Sequence, residues 1–193
     1  MVRLYSDKWI EGYAFSVHTQ YSIYVGENEA GFPQFDTKRT LMGELVYQLK
    51  YKQNISVLPQ ILALLKSDAK FVDFIKKDFV ILVPATNKNR RFQPVELVAD
   101  AISREFDIKI VKDMVEAENH VEIKQVEGAK KIDILKSSYS YQEHPEVSKE
   151  SNIIIFDDIY DSGSTMNVVA DLLLQNGYKN LYAFALTHTR ISD

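Results

Sequence analysis

Apolar residues change their spacing several times along this chain, and each change marks an element. Tyr13, Phe15 and Val17 alternate with smaller or polar residues, as do Tyr21, Ile23 and Val25. This period of two predicts two half-buried strands joined in a hairpin near His18–Gln20. The following stretch, GENEAGFPQFD, reads as a polar loop punctuated by Gly and Pro. Leu41, Leu45, Val46 and Leu49, then Leu58, Ile61, Leu62 and Leu65, return at helical spacing.

From Phe79 the pattern changes. FVILV at 79–83 is apolar throughout, as in a strand covered on both faces. Pro94 suits a first helical position, and Leu97, Val98, Ala101, Ile102 and Phe106 continue one apolar face. IKIV at 108–111 and IIIF at 153–156 are further strands. A helix follows with Met166, Val169, Leu172 and Leu173 on one side, Gly177 at its end, and then the strand LYAFAL at 181–186. The alternation predicts an α/β domain with a doubly wound, mostly parallel sheet. Residues 1–78 form an antiparallel hairpin and helical hood in this scheme, and residues 79–193 the core. The span from about 112 to 150 is rich in Glu, Lys and Ser, with one helical patch at Ala129–Leu135; it reads as a functional lid or a disordered segment.

Composition removes several function classes. Lys plus Arg number 23 against 27 Asp plus Glu, a net charge of −4, which disfavours broad nucleic-acid binding. With no cysteine, thiol nucleophiles, disulfides and zinc ribbons are excluded. The first residues lack a signal-peptide core and no apolar run reaches bilayer length, so a cytoplasmic location without membrane attachment is expected. The 4 histidines, His18, His120, His144 and His188, show no metal-ligand spacing.

The chemistry gathers at IIIFDDIYDSGST, residues 153–165. An apolar strand runs into Asp157 and Asp158, and Asp161 opens the small turn of Ser162, Gly163, Ser164 and Thr165 before a helix. Ligands of open α/β sheets sit beyond the carboxyl ends of strands, and a turn opening a helix suits an anion. Carboxylates able to accept from hydroxyls beside a phosphate cradle suggest a sugar phosphate. The plainer alternative is a helix cap beside a solvated acidic loop. No G-x-x-x-x-G-K-[ST] or G-x-G-x-x-G occurs, which disfavours P-loop and Rossmann sites.

This segment resembles the 5-phosphoribosyl-1-pyrophosphate (PRPP) signature of type I phosphoribosyltransferases, and Tyr160 is familiar in their ComF-like branch (competence protein F, amidophosphoribosyltransferase-like). LVYQLKY at 45–51 and LVPATNKNRRFQPVELVADAI at 82–102 are also similar to that branch. Its cysteine-rich ribbon is absent, its Arg-Gly-Phe-Asn-Gln element is shortened to Arg91-Phe92-Gln93, and its lid is matched only loosely, with Lys131 near the Arg position.

The resemblance implies a type I phosphoribosyltransferase-like fold and a Mg²⁺-dependent transfer of ribose 5-phosphate from PRPP to a nitrogen nucleophile such as a nucleobase, releasing pyrophosphate. Asp157 and Asp158 are the implied ribose and Mg²⁺ partners, catalytic together with Asp161, which could instead merely cap its turn. Asp161, Ser162, Gly163, Ser164 and Thr165 would wrap the 5′-phosphate. The loop after the first core strand should open on the same sheet edge, which makes Ala85, Thr86, Lys88, Arg90 and Arg91 the pyrophosphate candidates, unless the basic run is only a solvated turn. Lys124, Lys130 and Lys131 could close as a lid, His188 and Arg190 could line a base pocket, and Trp9 with the Tyr-rich hairpin could form a hood. A homodimer is compatible with this reading. A non-catalytic PRPP or nucleotide sensor, and a ComF-like component of DNA uptake or processing, are the alternatives.

Overall fold

The computed structural model describes residues 1–84, 92–117 and 137–189. Its centre is a six-stranded sheet ordered β1-β2-β10-β9-β5-β6. The strands are β1 (Val2–Arg3), β2 (Glu11–Val17), β5 (Phe79–Leu82), β6 (Lys109–Val111), β9 (Ile153–Tyr160) and β10 (Leu181–His188). β1 is antiparallel to β2, and every other neighbouring pair is parallel. The four apolar runs expected as core strands are β5, β6, β9 and β10. In β5, β9 and β10 the apolar runs follow from burial on both faces, whereas β6 lies at the sheet edge with Lys109 exposed.

One face carries α1 (Leu41–Tyr51), α2 (Leu58–Ser67), α3 (Ala69–Phe74) and α4 (Pro94–Phe106), whose apolar residues pack with Val80, Leu82, Ile154 and Phe156. The other face carries α5 (Ser164–Gln175) and a short ribbon, β7 (Val115–Ala117) with β8 (Tyr139–Tyr141), packed on Ile81, Ile153 and Ile155. From β5 the chain crosses through α4 to β6 on one side; from β9 it crosses through α5 to β10 on the other. The winding therefore reverses between β5 and β9, and a crevice opens beyond their carboxyl ends.

The expected hairpin at His18–Gln20 is not formed. β2 instead pairs in parallel with β10, Tyr13 opposite Phe184, while β3 (Thr19–Glu27) leaves the sheet and pairs with β4 (Pro33–Arg39). The stretch read as a polar loop thus supplies a strand. Period-two alternation marks extended chain but does not say which strand lies alongside. In β3 the alternating apolar residues are exposed, with Ile23 at 57% and Val25 at 60%. Of the segment expected as a hood, only this ribbon stands off; β1, β2 and α1–α3 are built into the sheet and its helical layer.

The start of α1 is fixed where β2 ends. Thr40 caps the helix by accepting from the Gly43 N–H, and its hydroxyl donates to the Val17 carbonyl at 2.6 Å. A Cβ on Gly43 would lie 1.9 Å from the His18 carbonyl oxygen, so only glycine lets the helix approach so closely. The helix then runs from the end of β2 to present its last turn at the end of β9. Part of the expected lid is also ordered: Met114, Val115, Ala117, Tyr139 and Val147 are core residues. The helical patch expected at 129–135 and the lid lysines lie outside the described residues.

Candidate active site

β9 runs on past IIIF and includes both aspartates, so they are strand residues rather than loop residues. Successive strand side chains point to opposite faces. Asp157 accordingly lies on the α5 side, and Asp158 turns into the helical layer, where it is 4% exposed. The adjacent carboxylates are parted across the sheet, which lets the fold answer each separately.

Asp158 meets Lys50, from the last turn of α1. The ammonium Nζ lies 2.9 Å from each carboxylate oxygen. Burial works against the Lys50 charge, but the charge and hydrogen bond of Asp158, with Asp157 behind it, outweigh burial and raise its pKa. His18 stands nearby, its Nδ1 3.0 Å from the Thr187 hydroxyl; burial and the charges of Arg39 and Lys50 push its pKa down, favouring neutral imidazole.

Asp157 has no ion-pair partner among the described residues. Its carboxylate accepts the Asp158 backbone N–H at 2.8 Å. Burial, then the neighbouring Asp158 charge, hold its pKa well above the usual carboxylate range. It lines a cavity of about 120 Å³ with Tyr160 and every residue from Asp161 to Met166. The turn is set by Gly163, whose φ of +74° leads into α5. A Cβ there would fall 2.2 Å from the Tyr160 hydroxyl oxygen, which packs beneath the turn. Asn167 donates to the Gly163 carbonyl at 2.9 Å and itself accepts from Ser6 at 2.6 Å, tying the turn to the N-terminal segment. The Ser162 and Ser164 hydroxyls are 2.8 Å apart. The helix opens with N–H groups that have no intrahelical acceptor and with the positive end of its dipole, so the cavity pairs an anion cradle with a carboxylate.

The structure thus brings Asp157, Asp161, Ser162, Gly163, Ser164 and Thr165 into one cavity. Asp161 accepts from the Thr189 hydroxyl at 2.5 Å, a link beyond simple capping. Asp158, expected beside Asp157 as a metal ligand, has both oxygens engaged by Lys50 instead. Ala85, Thr86, Lys88, Arg90, Arg91 and Arg190 fall outside the described residues. The flanks of the 85–91 segment, Val83, Pro84 and Gln93, line a second cavity of about 320 Å³ with Glu96, Lys112 and Glu116. Trp9 is not a hood residue: it is 7% exposed in the core, donates its indole N–H to the Leu4 carbonyl and sets its ring edgewise to Tyr160. His188 closes β10 with Nδ1 on the Thr189 carbonyl.

Lys50 is the functional candidate that sequence reasoning missed. It stood in the quoted segment LVYQLKY, but a basic residue in the last turn of a helix is commonplace beside the helix dipole. Among the described residues no group of three or more His, Cys, Asp or Glu could hold a metal ion. Nor is any helix there long and apolar enough to cross a membrane.

No protein-family model matches the chain, and no curated protein does. Solved structures of similar trace include an adenine phosphoribosyltransferase at 14% identity and a TM-score of 0.47, covering 88% of this chain and 85% of that one. An orotate phosphoribosyltransferase from Aeropyrum pernix is similar at 15% identity and a TM-score of 0.41, covering 89% and 76%. A purine phosphoribosyltransferase from Pyrococcus horikoshii is 16% identical with a TM-score of 0.42, covering 70% and 77%.

Proposed function

We propose that this chain is a phosphoribosyltransferase of the ComF-like branch, which binds PRPP and transfers its 5-phosphoribosyl group to a nitrogen nucleophile, with pyrophosphate leaving. The observation that carries this reading is the shared cavity: a carboxylate that forms no ion pair among the described residues faces a hydroxyl-lined turn at the start of α5, beside the point where the sheet winding reverses.

Ser162, Ser164 and Thr165 hold the 5′-phosphate with the first N–H groups of α5, and Asp157 accepts from the ribose hydroxyls. The new bond forms between the acceptor nitrogen and C1′ as the C1′–oxygen bond to pyrophosphate breaks. Positive charge that builds on the ribose is stabilised by Asp157. Asp161, at the cavity rim, takes the proton of the incoming nitrogen in place of the Thr189 hydroxyl. Lys50 engages both Asp158 oxygens, so Asp158 draws nothing from the substrate's cation.

Mg²⁺ is tested by the donor set. It binds through one or two carboxylates plus substrate oxygens, and Asp157 fits that requirement, whereas Asp158 is already satisfied. When bound, Mg²⁺ would neutralise the departing pyrophosphate.

Titration calorimetry with PRPP and MgCl₂, followed by pyrophosphate release over a panel of nucleobases, tests the reading. Saturable binding that is lost in Asp157→Asn is expected. Absence of PRPP binding, or binding unchanged in Asp157→Asn, would refute it; binding without turnover on any base would assign the chain as a sensor.

A further inference from the structure

The arch that joins β1 to β2, residues 4–10, lies along α5. Its ends are pinned, the Leu4 N–H donating to the Gly12 carbonyl at 2.9 Å and the Ile10 N–H to the Leu181 carbonyl at 2.8 Å. Between them Lys8 pairs with Asp171 of α5 at 2.6 Å, and Trp9 stands edgewise to Tyr160.

From the middle of the arch Ser6 reaches the phosphate turn through Asn167. Its hydroxyl accepts the Lys8 backbone N–H at 3.2 Å and donates its one proton to Asn167 Oδ1 at 2.6 Å. That contact orients the amide. With Oδ1 taken by Ser6, Nδ2 faces the Gly163 carbonyl at 2.9 Å. The Asn167 backbone N–H meets the same carbonyl, also at 2.9 Å, so both lone pairs of this oxygen are engaged.

A trans peptide is planar, and its C=O and N–H point opposite ways. Holding the Gly163 carbonyl toward Asn167 therefore turns the Ser164 N–H to the other side, that of the cavity lined by Ser162 and Ser164. This N–H belongs to the first turn of α5 and has no intrahelical acceptor. Among the described residues it meets the Ser162 hydroxyl at 3.4 Å, long for a hydrogen bond and readily given up to an anion. Glycine leaves such a plane free to rotate, because no Cβ restricts it; the two donors of Asn167 remove that freedom.

We infer that Ser6 and Asn167 are positioning residues of the phosphate subsite: the N-terminal arch, acting through the Asn167 amide, holds the Gly163–Ser164 peptide with its N–H toward the anion. The inference rests on the PRPP reading, which puts the 5′-phosphate at this turn. Neither side chain lines the cavity, so both act through the backbone.

Calorimetry with inorganic phosphate, and separately with PRPP and MgCl₂, tests this. Ser6→Ala should weaken both about fivefold, the worth of one modest hydrogen bond, and Ser6→Thr, which keeps the hydroxyl, should restore affinity to within about twofold of wild type. Asn167→Leu should weaken both about tenfold. Adding Ser6→Ala to Asn167→Leu should have no further effect, because Ser6 acts only through Asn167. Lys8→Met cuts another tie between the same arch and helix without touching Asn167, and should leave affinity within about twofold. Bound phosphate should move the Ser164 amide proton downfield in a heteronuclear NMR spectrum, and by less in Ser6→Ala. A wild type that binds phosphate but not PRPP ends the proposed function, while the phosphate series still decides this inference. Binding of neither overturns both. Undiminished affinity in Ser6→Ala and Asn167→Leu overturns the positioning role alone, as do additive losses in the double variant or a Lys8→Met loss as large as that of Ser6→Ala.

Discussion

Replacing Lys50 with methionine keeps an unbranched side chain in the last turn of α1 but withdraws the ammonium from Asp158. Lys50 is 22% and Asp158 6% exposed at the side chain, so the carboxylate left behind has little access to water. Removing one member of a buried pair costs about 3–5 kcal/mol; because Lys50 is partly solvated, the lower end, about 3 kcal/mol, applies here. A chain of this size loses roughly 2–4 °C of melting temperature per kcal/mol, so Lys50→Met should melt about 6–12 °C lower at neutral pH. The stranded carboxyl will hold its proton more tightly folded than unfolded. The penalty therefore grows as pH rises from about 4 and is smaller at about pH 5 than at neutrality. Adding Asp158→Asn removes the lone charge and should recover at least half the loss. Urea and thermal melts of the wild type, both single variants and the double variant, at each pH, check all three statements. A Lys50→Met variant within about 0.5 kcal/mol of wild type at neutral pH would refute the reasoning. A double variant no more stable than the single would do the same.

Asp157→Asn should move the other way in stability, because the raised pKa of Asp157 means that ionisation opposes folding. In the wild type this contribution is lost as pH rises through the raised value, and the amide avoids it. A gain of about 1 kcal/mol, seen as roughly 2–4 °C in a neutral-pH melt, is expected alongside loss of the PRPP calorimetric signal. A variant less stable than wild type at neutral pH would count against an unpartnered charge there. Gly163→Ala must combine a left-handed backbone with a Cβ 2.2 Å from the Tyr160 hydroxyl oxygen. It should lose roughly 2–4 kcal/mol in a urea melt and bind inorganic phosphate more weakly.

The core strands were legible because burial on both faces writes itself locally, as FVILV and IIIF show. The carboxylate and the small turn were legible too, since their chemistry lies within thirteen consecutive residues. What decided the rest was contact across long sequence separations. Nothing in the alternation of Tyr13, Phe15 and Val17 says that β2 will lie beside Phe184 rather than beside β3. The two aspartates looked like one acidic pair because the strand's end was placed at Phe156. Carrying β9 on to Tyr160 sends them to opposite faces and gives Asp158 a partner 108 positions away. Lys50 then becomes visible as part of the site.

The pairing of β2 with β10 also constrains the order of events in folding. Residues 11–17 find their parallel neighbour only in residues 182–188, so the sheet closes across nearly the whole chain. During synthesis β2 has nothing to pair with among the described strands except β1 until β10 leaves the ribosome, and α1, which packs on both β2 and β10, can seat fully only then. High contact order of this kind predicts slow folding, with the nascent N-terminal half carrying exposed apolar strand and helix faces in the meantime.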